Sequence, residues 1–167
     1  MRKTHLKKSI LIVSAFVVAI GIWSCNNRKE IQLDQLNSDI IFLKGKKVTN
    51  DNFTGVVYLQ GLVEGDSLNP NSVGNVTFEP GARSKWHLHP AGQILLATGG
   101  VGYYQEKGKS KVILRKGDVI KCPPNVAHWH GASDDTAFVQ IAITGREKGP
   151  TLWLEHVSDS VYHSIEK

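Results

Sequence analysis

GARSKWHLHPAGQ, residues 81–93, sets His87 and His89 on either side of a single leucine and places Gln93 four positions after the second. Histidine is scarce in this chain, seven in 167 residues, and a second pair with the same spacing, His128 and His130, follows in HWH. In a β-strand, residues i and i+2 point to one face. The spacing therefore turns both imidazoles of each pair to one side and sends Trp86, Leu88 and Trp129 to the other. Two imidazoles so placed reach a common ion about 2.0–2.1 Å from each nitrogen. Pro90-Ala91-Gly92 turns the chain after the first pair, so that Gln93 opens the next strand and offers a neutral carbonyl oxygen. Pro123-Pro124-Asn125 makes a rigid turn before the second pair, with Asn125 suited to the left-handed conformation. One His-x-His alone is ordinarily a pair of satisfied or exposed histidines. Two of them, each beside rigid turn chemistry, favour one metal site.

The surrounding sequence reads as short strands. Residues 55–63, 73–79, 93–99, 101–105, 111–115, 118–122 and 137–143 are rich in β-branched and aromatic side chains. Asn-Pro, Pro-Gly, Gly-Gly, Lys-Gly and Pro-Pro-Asn punctuate them. Strands of that length and spacing predict an all-β sandwich or barrel. Helical signals are confined to the tail, where SDSVYHSI (158–165) begins with a capping serine. Cys122 reads as a small buried strand residue, Asp118 as a turn residue that fixes backbone, and Trp86, Trp129 and Trp153 as packing residues. Tyr103 and Tyr104 alternate in facing, with core packing expected. His156 and His163 near the tail lack ligand spacing and read as structural or exposed.

The net charge of +5 belongs to the start of the chain rather than to the domain. Arg2, Lys3, Lys7 and Lys8 lie within the first 24 residues, which hold no acid; the other 16 basic residues face 15 acidic ones. No basic stripe is interleaved with aromatics, so nucleic-acid binding is not expected. The basic opening precedes an apolar run, Ile10 to Trp23, shorter than the roughly 20 residues that span a bilayer. That layout is a secretory signal. Its end, Ile22-Trp23-Ser24-Cys25, resembles a bacterial lipoprotein signal, with Trp23 an unusual occupant. Residues 1–24 are therefore expected to be a signal peptide, Cys25 a lipidation site, 26–40 a polar tether and 41–167 the folded domain. The implied location is exported and membrane-anchored, periplasm-facing or at the cell surface. A Cys25–Cys122 disulfide is the alternative use of the two cysteines.

Gly81-x5-His87-x-His89-x3-Gln93-x5-Gly99 resembles the first motif of the cupin family, and Gly117-x5-Pro123-x4-His128 the second, with Asn125 where glycine is usual. The motifs cover about 50 residues, and the strand pattern extends the likeness to roughly 42–157. The resemblance implies a cupin (jelly-roll) β-barrel with a short C-terminal helix. Its metal ligands would be His87, His89, Gln93 and His128. The wording VTFEPGARSKWHLHPAGQ, GDVIKCPPNVAHWHGA and WLEHVSD is similar to a subgroup of small bacterial cupins. This subgroup includes cupin-type hydroxynitrile lyases and cupins associated with carboxymuconolactone decarboxylases. Most cupins carry glutamate at the position of Gln93, while the close subgroup shares the glutamine. In cyanohydrin-cleaving members a histidine on the strand after the second motif moves the proton. Here that position is Gln140, which cannot act as a base, so cyanohydrin cleavage by that route is not expected.

Three histidines and a neutral amide leave a divalent ion its full charge, a strong Lewis acid that holds anions well. The ion is one divalent transition metal: Mn, Fe, Zn, Ni, Co and Cu all suit mixed nitrogen and oxygen ligands. His130 faces the same side as His128 outside the implied ligand set. It is a general base, a substitute ligand or a group that orients one, with base or orienting group favoured. The expected activity is lyase, isomerase or decarboxylase chemistry on a small carbonyl or hydroxy compound, with His130 catalytic. A metal-dependent oxygenase and a non-enzymatic cupin that holds a small ligand or metal are the alternatives. By family analogy the chain forms a homodimer, through residues 40–63 and the WLEHVSD tail.

Overall fold

The structure, a computed structural model, describes residues 41–164. The expected signal peptide, Cys25 and nearly all of the tether therefore lie outside the described residues. Among these residues twelve strands form in chain order: β1 (Lys46–Lys47), β2 (Phe53–Thr54), β3 (Val57–Val63), β4 (Asn71–Phe78), β5 (Arg83–Ser84), β6 (His87–Leu88), β7 (Gln93–Glu106), β8 (Val112–Arg115), β9 (Val119–Cys122), β10 (His128–Ala132), β11 (Phe138–Gly145) and β12 (Leu152–Trp153). Among the described residues one short helix, α1 (Asp159–Tyr162), follows. Every strand pair is antiparallel. The all-β architecture expected from the sequence is the one observed.

Two sheets share one long strand. The first runs β1-β3-β4-β11-β7-β9, and the second joins β7 to β8 and β10, with β5, β2, β6 and β12 beyond β10. The first half of β7 pairs with β11 and β9, the second half with β10 and β8. The sequence suggested two strands parted by a Gly99-Gly100 turn. The structure instead bends one strand there, because β11 keeps pairing as far as Gly100 and the Ala137 carbonyl accepts Val101 N–H at 3.2 Å. Gly100 sits at φ +71°, and a Cβ on it would lie 1.7 Å from the Ala137 carbonyl oxygen. Only glycine fits that bend.

The main core draws Val57, Phe78, Leu95, Tyr104, Leu114 and Phe138 from five strands. A second cluster lies on the other side of β10, where Trp86 and Trp129 pack with Val157 and Tyr162. The tryptophans that alternate with the histidines thus face not solvent but the chain's own tail. Ser158 caps α1 by accepting Val161 N–H, as its sequence suggested. The Tyr162 hydroxyl donates to the Ala132 carbonyl at 2.8 Å, and the Arg83 guanidinium donates to the Val157 carbonyl and stacks over the Tyr162 ring. This clamp holds the tail against the outer face of β10, whose inner face carries His128 and His130. Asp118 fixes its turn by accepting Arg115 N–H at 2.8 Å, and Cys122 is a buried free thiol.

Candidate metal centre

His87 on β6 sits directly across from His128 on β10. Cross-strand partners are the closest neighbours a sheet offers, and the two ring centroids are 4.4 Å apart. His89 follows β6, and its ring lies 5.0 Å from that of His87 and 5.5 Å from that of His128. The Pro90–Gly92 turn closes with Gly92 at φ +81° and its N–H donating to the His89 carbonyl at 3.0 Å. Asn125, at φ 60°, donates its N–H to the same carbonyl. One carbonyl therefore joins the two turns that precede β7 and β10. Gln93 opens β7 opposite Thr144 of β11. His130 lies two residues beyond His128 on the same face, with its ring 5.1 Å from that of His87. Nitrogens of His87, His128 and His130 fall within 4.8 Å of one another.

Hydrogen bonds at the back of each side chain fix what faces inward. His87 and His128 each donate Nδ1–H to a backbone carbonyl, those of Lys85 and Val126, at 2.9 Å. A carbonyl can only accept, so both neutral imidazoles present an Nε2 lone pair to the centre. Thr151 Oγ1 holds His89 Nδ1 at 3.1 Å, and Thr144 Oγ1 accepts from Gln93 Nε2 at 2.8 Å, which turns Gln93 Oε1 inward. His130 differs. Its Nδ1 takes a hydrogen bond from Gln140 Nε2 at 3.0 Å. An amide nitrogen can only donate, so the neutral His130 carries its proton on Nε2 and faces the cavity as a donor.

Five buried side-chain atoms among the described residues lack a hydrogen-bond partner: His89 Nε2, Gln93 Oε1, His128 Nε2, His130 Nε2 and Gln140 Oε1. All belong to this one place. Leaving a polar atom buried and unpaired costs about 1–3 kcal/mol, so five together mark a site built to hold something. A converging set of nitrogen lone pairs and one amide oxygen fits a divalent transition metal.

The electrostatics agree. Burial, reinforced by the other imidazoles, pushes His87 and His130 well below the usual histidine value. Burial also lowers His128, against an upward pull from the Val126 carbonyl. His89 falls to about 3, through burial first, then His128 and the Arg146 charge, while Gln93 lies close enough to oppose the shift. All four are thus neutral near pH 7. In metal-free protein they stay neutral while the unfolded chain protonates below its ordinary value of 6.5. The unfolded state then binds more protons, so stability is constant above about pH 6.5 and falls as pH drops, down to about 3 for His89. Each histidine contributes a slope of at most about 1.4 kcal/mol per pH unit. Urea midpoints of the metal-free protein are expected to fall as pH drops below about 6.5; a flat profile would contradict the buried neutral set.

A cavity of about 440 Å³ opens onto His87, His89, Gln93 and His130, walled by Phe53, Leu59, Val73, Val76, Ala142 and Trp153, with Arg146 and Glu64 also lining it. Its size suits a small molecule. Trp153 packs as read from the sequence, but at the cavity wall: it is 38% exposed, and its ring lies 4.9 Å from that of His87 and 5.6 Å from that of Phe53. Thr144, Thr151 and Arg146 had not been singled out. Only the pairing of β11 with Gln93 and the path of the 146–151 loop bring them to the site. Tyr104 packs in the main core and Tyr103 against Tyr162, while His156 and His163 are exposed, as expected.

The model of the family described as Cupin domain matches residues 74–144. An (R)-mandelonitrile lyase from Granulicella tundricola is 42% identical over 113 residues, covering 67% of this chain and 86% of that protein. The chain is a cupin. A solved structure of a cupin-like protein from Thermotoga maritima is 48% identical to it. That likeness covers 74% of this cupin and 94% of the other chain, with a TM-score of 0.70. A cupin-2 domain from Rhodospirillum rubrum shares the fold at 18% identity and a TM-score of 0.56, covering 70% of this chain and 82% of its own. This cupin therefore resembles hydroxynitrile lyases as the motifs suggested. The imidazole that Gln140 contacts is its own His130.

Proposed function

We propose that this cupin is a metal-dependent enzyme of lyase type, acting on a small carbonyl or hydroxy compound. The observation that carries the reading is the set of unpaired buried side-chain atoms gathered here, with those of His89, Gln93 and His130 belonging to residues that line one cavity. His87, His89, His128 and Gln93 would hold the ion, since each offers a lone pair inward from a side chain anchored behind. A divalent transition metal there supplies Lewis acidity toward a substrate oxygen. His130 would donate a hydrogen bond from its Nε2–H to the substrate oxygen and to the charge that develops there, and Gln140 keeps it in that orientation. Phe53 and Trp153, in edge contact at 5.6 Å, give the substrate an apolar wall. The relative's printed name, a lyase acting on mandelonitrile, supports carbon–carbon cleavage as the reaction class.

The test is to strip the protein with a chelator and assay release of aldehyde or ketone from a panel of cyanohydrins and hydroxy acids. Activity is expected to vanish and to return with one of Mn, Fe, Zn, Ni, Co or Cu. Full activity in protein stripped of metal would rule the reading out. The lipoprotein-like start supports export and anchoring through lipid on Cys25. Mass spectrometry of the N-terminal peptide, which should begin at a lipidated Cys25, checks that part. Family analogy supports a homodimer.

A further inference from the structure

Arg146 is the only cation among the residues that line the cavity, which include Glu64 as the only acid. It is held firmly from three directions. Its backbone N–H donates to the Pro70 carbonyl at 2.8 Å, its Nε to Ser72 Oγ at 2.9 Å and its Nη1 to Thr151 Oγ1 at 3.0 Å. These acceptors are all neutral. No ion pair among the described residues engages this guanidinium, although seven other pairs form. Thr151 is also the residue that holds His89 Nδ1, so the guanidinium stands two hydrogen bonds, 3.0 and 3.1 Å, from the back of a proposed ligand.

A surface arginine normally finds a carboxylate or waves free in water; this one is pinned by hydroxyls against the wall of a cavity and kept unneutralised. Fixing the fork beforehand removes the ordering cost that an anion would otherwise meet. The proposed donor set points the same way, because three imidazoles and an amide bring no negative charge to the cavity floor. The remaining wall is largely apolar and contributes no competing donor of that strength.

We propose that Arg146 is the specificity residue for a carboxylate, and that the substrate is an oxo acid or hydroxy acid rather than a neutral carbonyl compound. The proposal rests on the reading above only for the reacting end of the molecule. The carboxylate would lie against the free edge of the guanidinium, and the carbon chain would lie along the apolar wall toward the histidines. Specificity of this kind comes from a charge-assisted hydrogen bond that a neutral analogue cannot make.

The experiment is calorimetric titration of the full-length protein, metal-loaded and metal-free, with pyruvate, levulinate and 5-oxohexanoate, each against its primary amide. At least one acid is expected to bind about tenfold or more tightly than its amide. R146Q is expected to lose that preference, and R146K, which keeps the charge, to retain a preference for the acid. Absence of acid preference throughout the series, or a preference undiminished in R146Q, would overturn the proposal. Equal loss in R146K and R146Q would make Arg146 a strut for its loop and overturn it as well. The metal-free titrations keep the two readings separate: a chain that binds no metal can still show an Arg146-dependent preference. A chain that binds metal can still fail to show one.

Discussion

Replacing His130 with alanine is expected to lower kcat by about 100- to 1,000-fold, the usual worth of a hydrogen-bond donor aimed at developing charge, while metal occupancy stays unchanged. The expectation follows from how the imidazole is held. His130 is 5% exposed, its ring meets Phe78 edge-on at 5.6 Å, and Gln140 fixes the proton on Nε2. It shares β10 with His128 but not the same anchoring, because His128 donates its Nδ1–H to a carbonyl and His130 accepts from an amide. One orientation exposes a lone pair and the other a proton. Q140A should show a smaller loss, about tenfold, as the tautomer is no longer imposed. Steady-state kinetics beside elemental analysis of the same preparations check both. Turnover unchanged in H130A with metal retained would remove His130 from the reaction.

Gly100→Ala is expected to cost about 4 kcal/mol or more and to leave little folded protein at 37 °C. A methyl group there would meet the Ala137 carbonyl oxygen at 1.7 Å and occupy backbone at φ +71°. Neither can relax cheaply, since Ala137 precedes β11 and its carbonyl takes the Val101 N–H. The bend at Gly100 lets one strand serve both sheets, so straightening it would separate Gln93 at one end of β7 from the β10 pairing at the other. Gly108→Ala makes the control, because Gly108 also has positive φ, at +83°, yet has open space around its Cβ position. Its cost should stay near 1 kcal/mol. Urea midpoints of the two variants separate local backbone strain from the clash.

The histidine pairs were legible because period-two facing needs only the sequence, and rigid turns beside each pair fixed where the strands begin and end. The structure brings His87, His89, His128 and His130 together, as that facing implied. The backbone turns carried equal information: Asn125 takes the left-handed conformation its position suggested. What the sequence hid depends on register between distant strands. Thr144 orients Gln93 across 51 residues, and Thr151 holds His89 across 62. No local pattern reports such pairings. Trp153 read as a packing residue, but its place at the cavity wall comes from β12, a two-residue strand at the sheet edge whose pairing sets it opposite His87. Gly99-Gly100 looked like a turn because paired glycines usually break strands. Here they bend one, and the hydrogen bonds that keep it continuous come from β11, nearly forty residues on.

The central claim is that His87, His89, Gln93 and His128 hold one metal ion. Elemental analysis of protein purified from its native host, set beside H87A and H128A handled identically, tests it most directly. The account predicts one equivalent of a transition metal per chain in the unaltered protein and none in either variant, with all three folded by circular dichroism. Full occupancy in either variant, or no metal in the native protein, would contradict it.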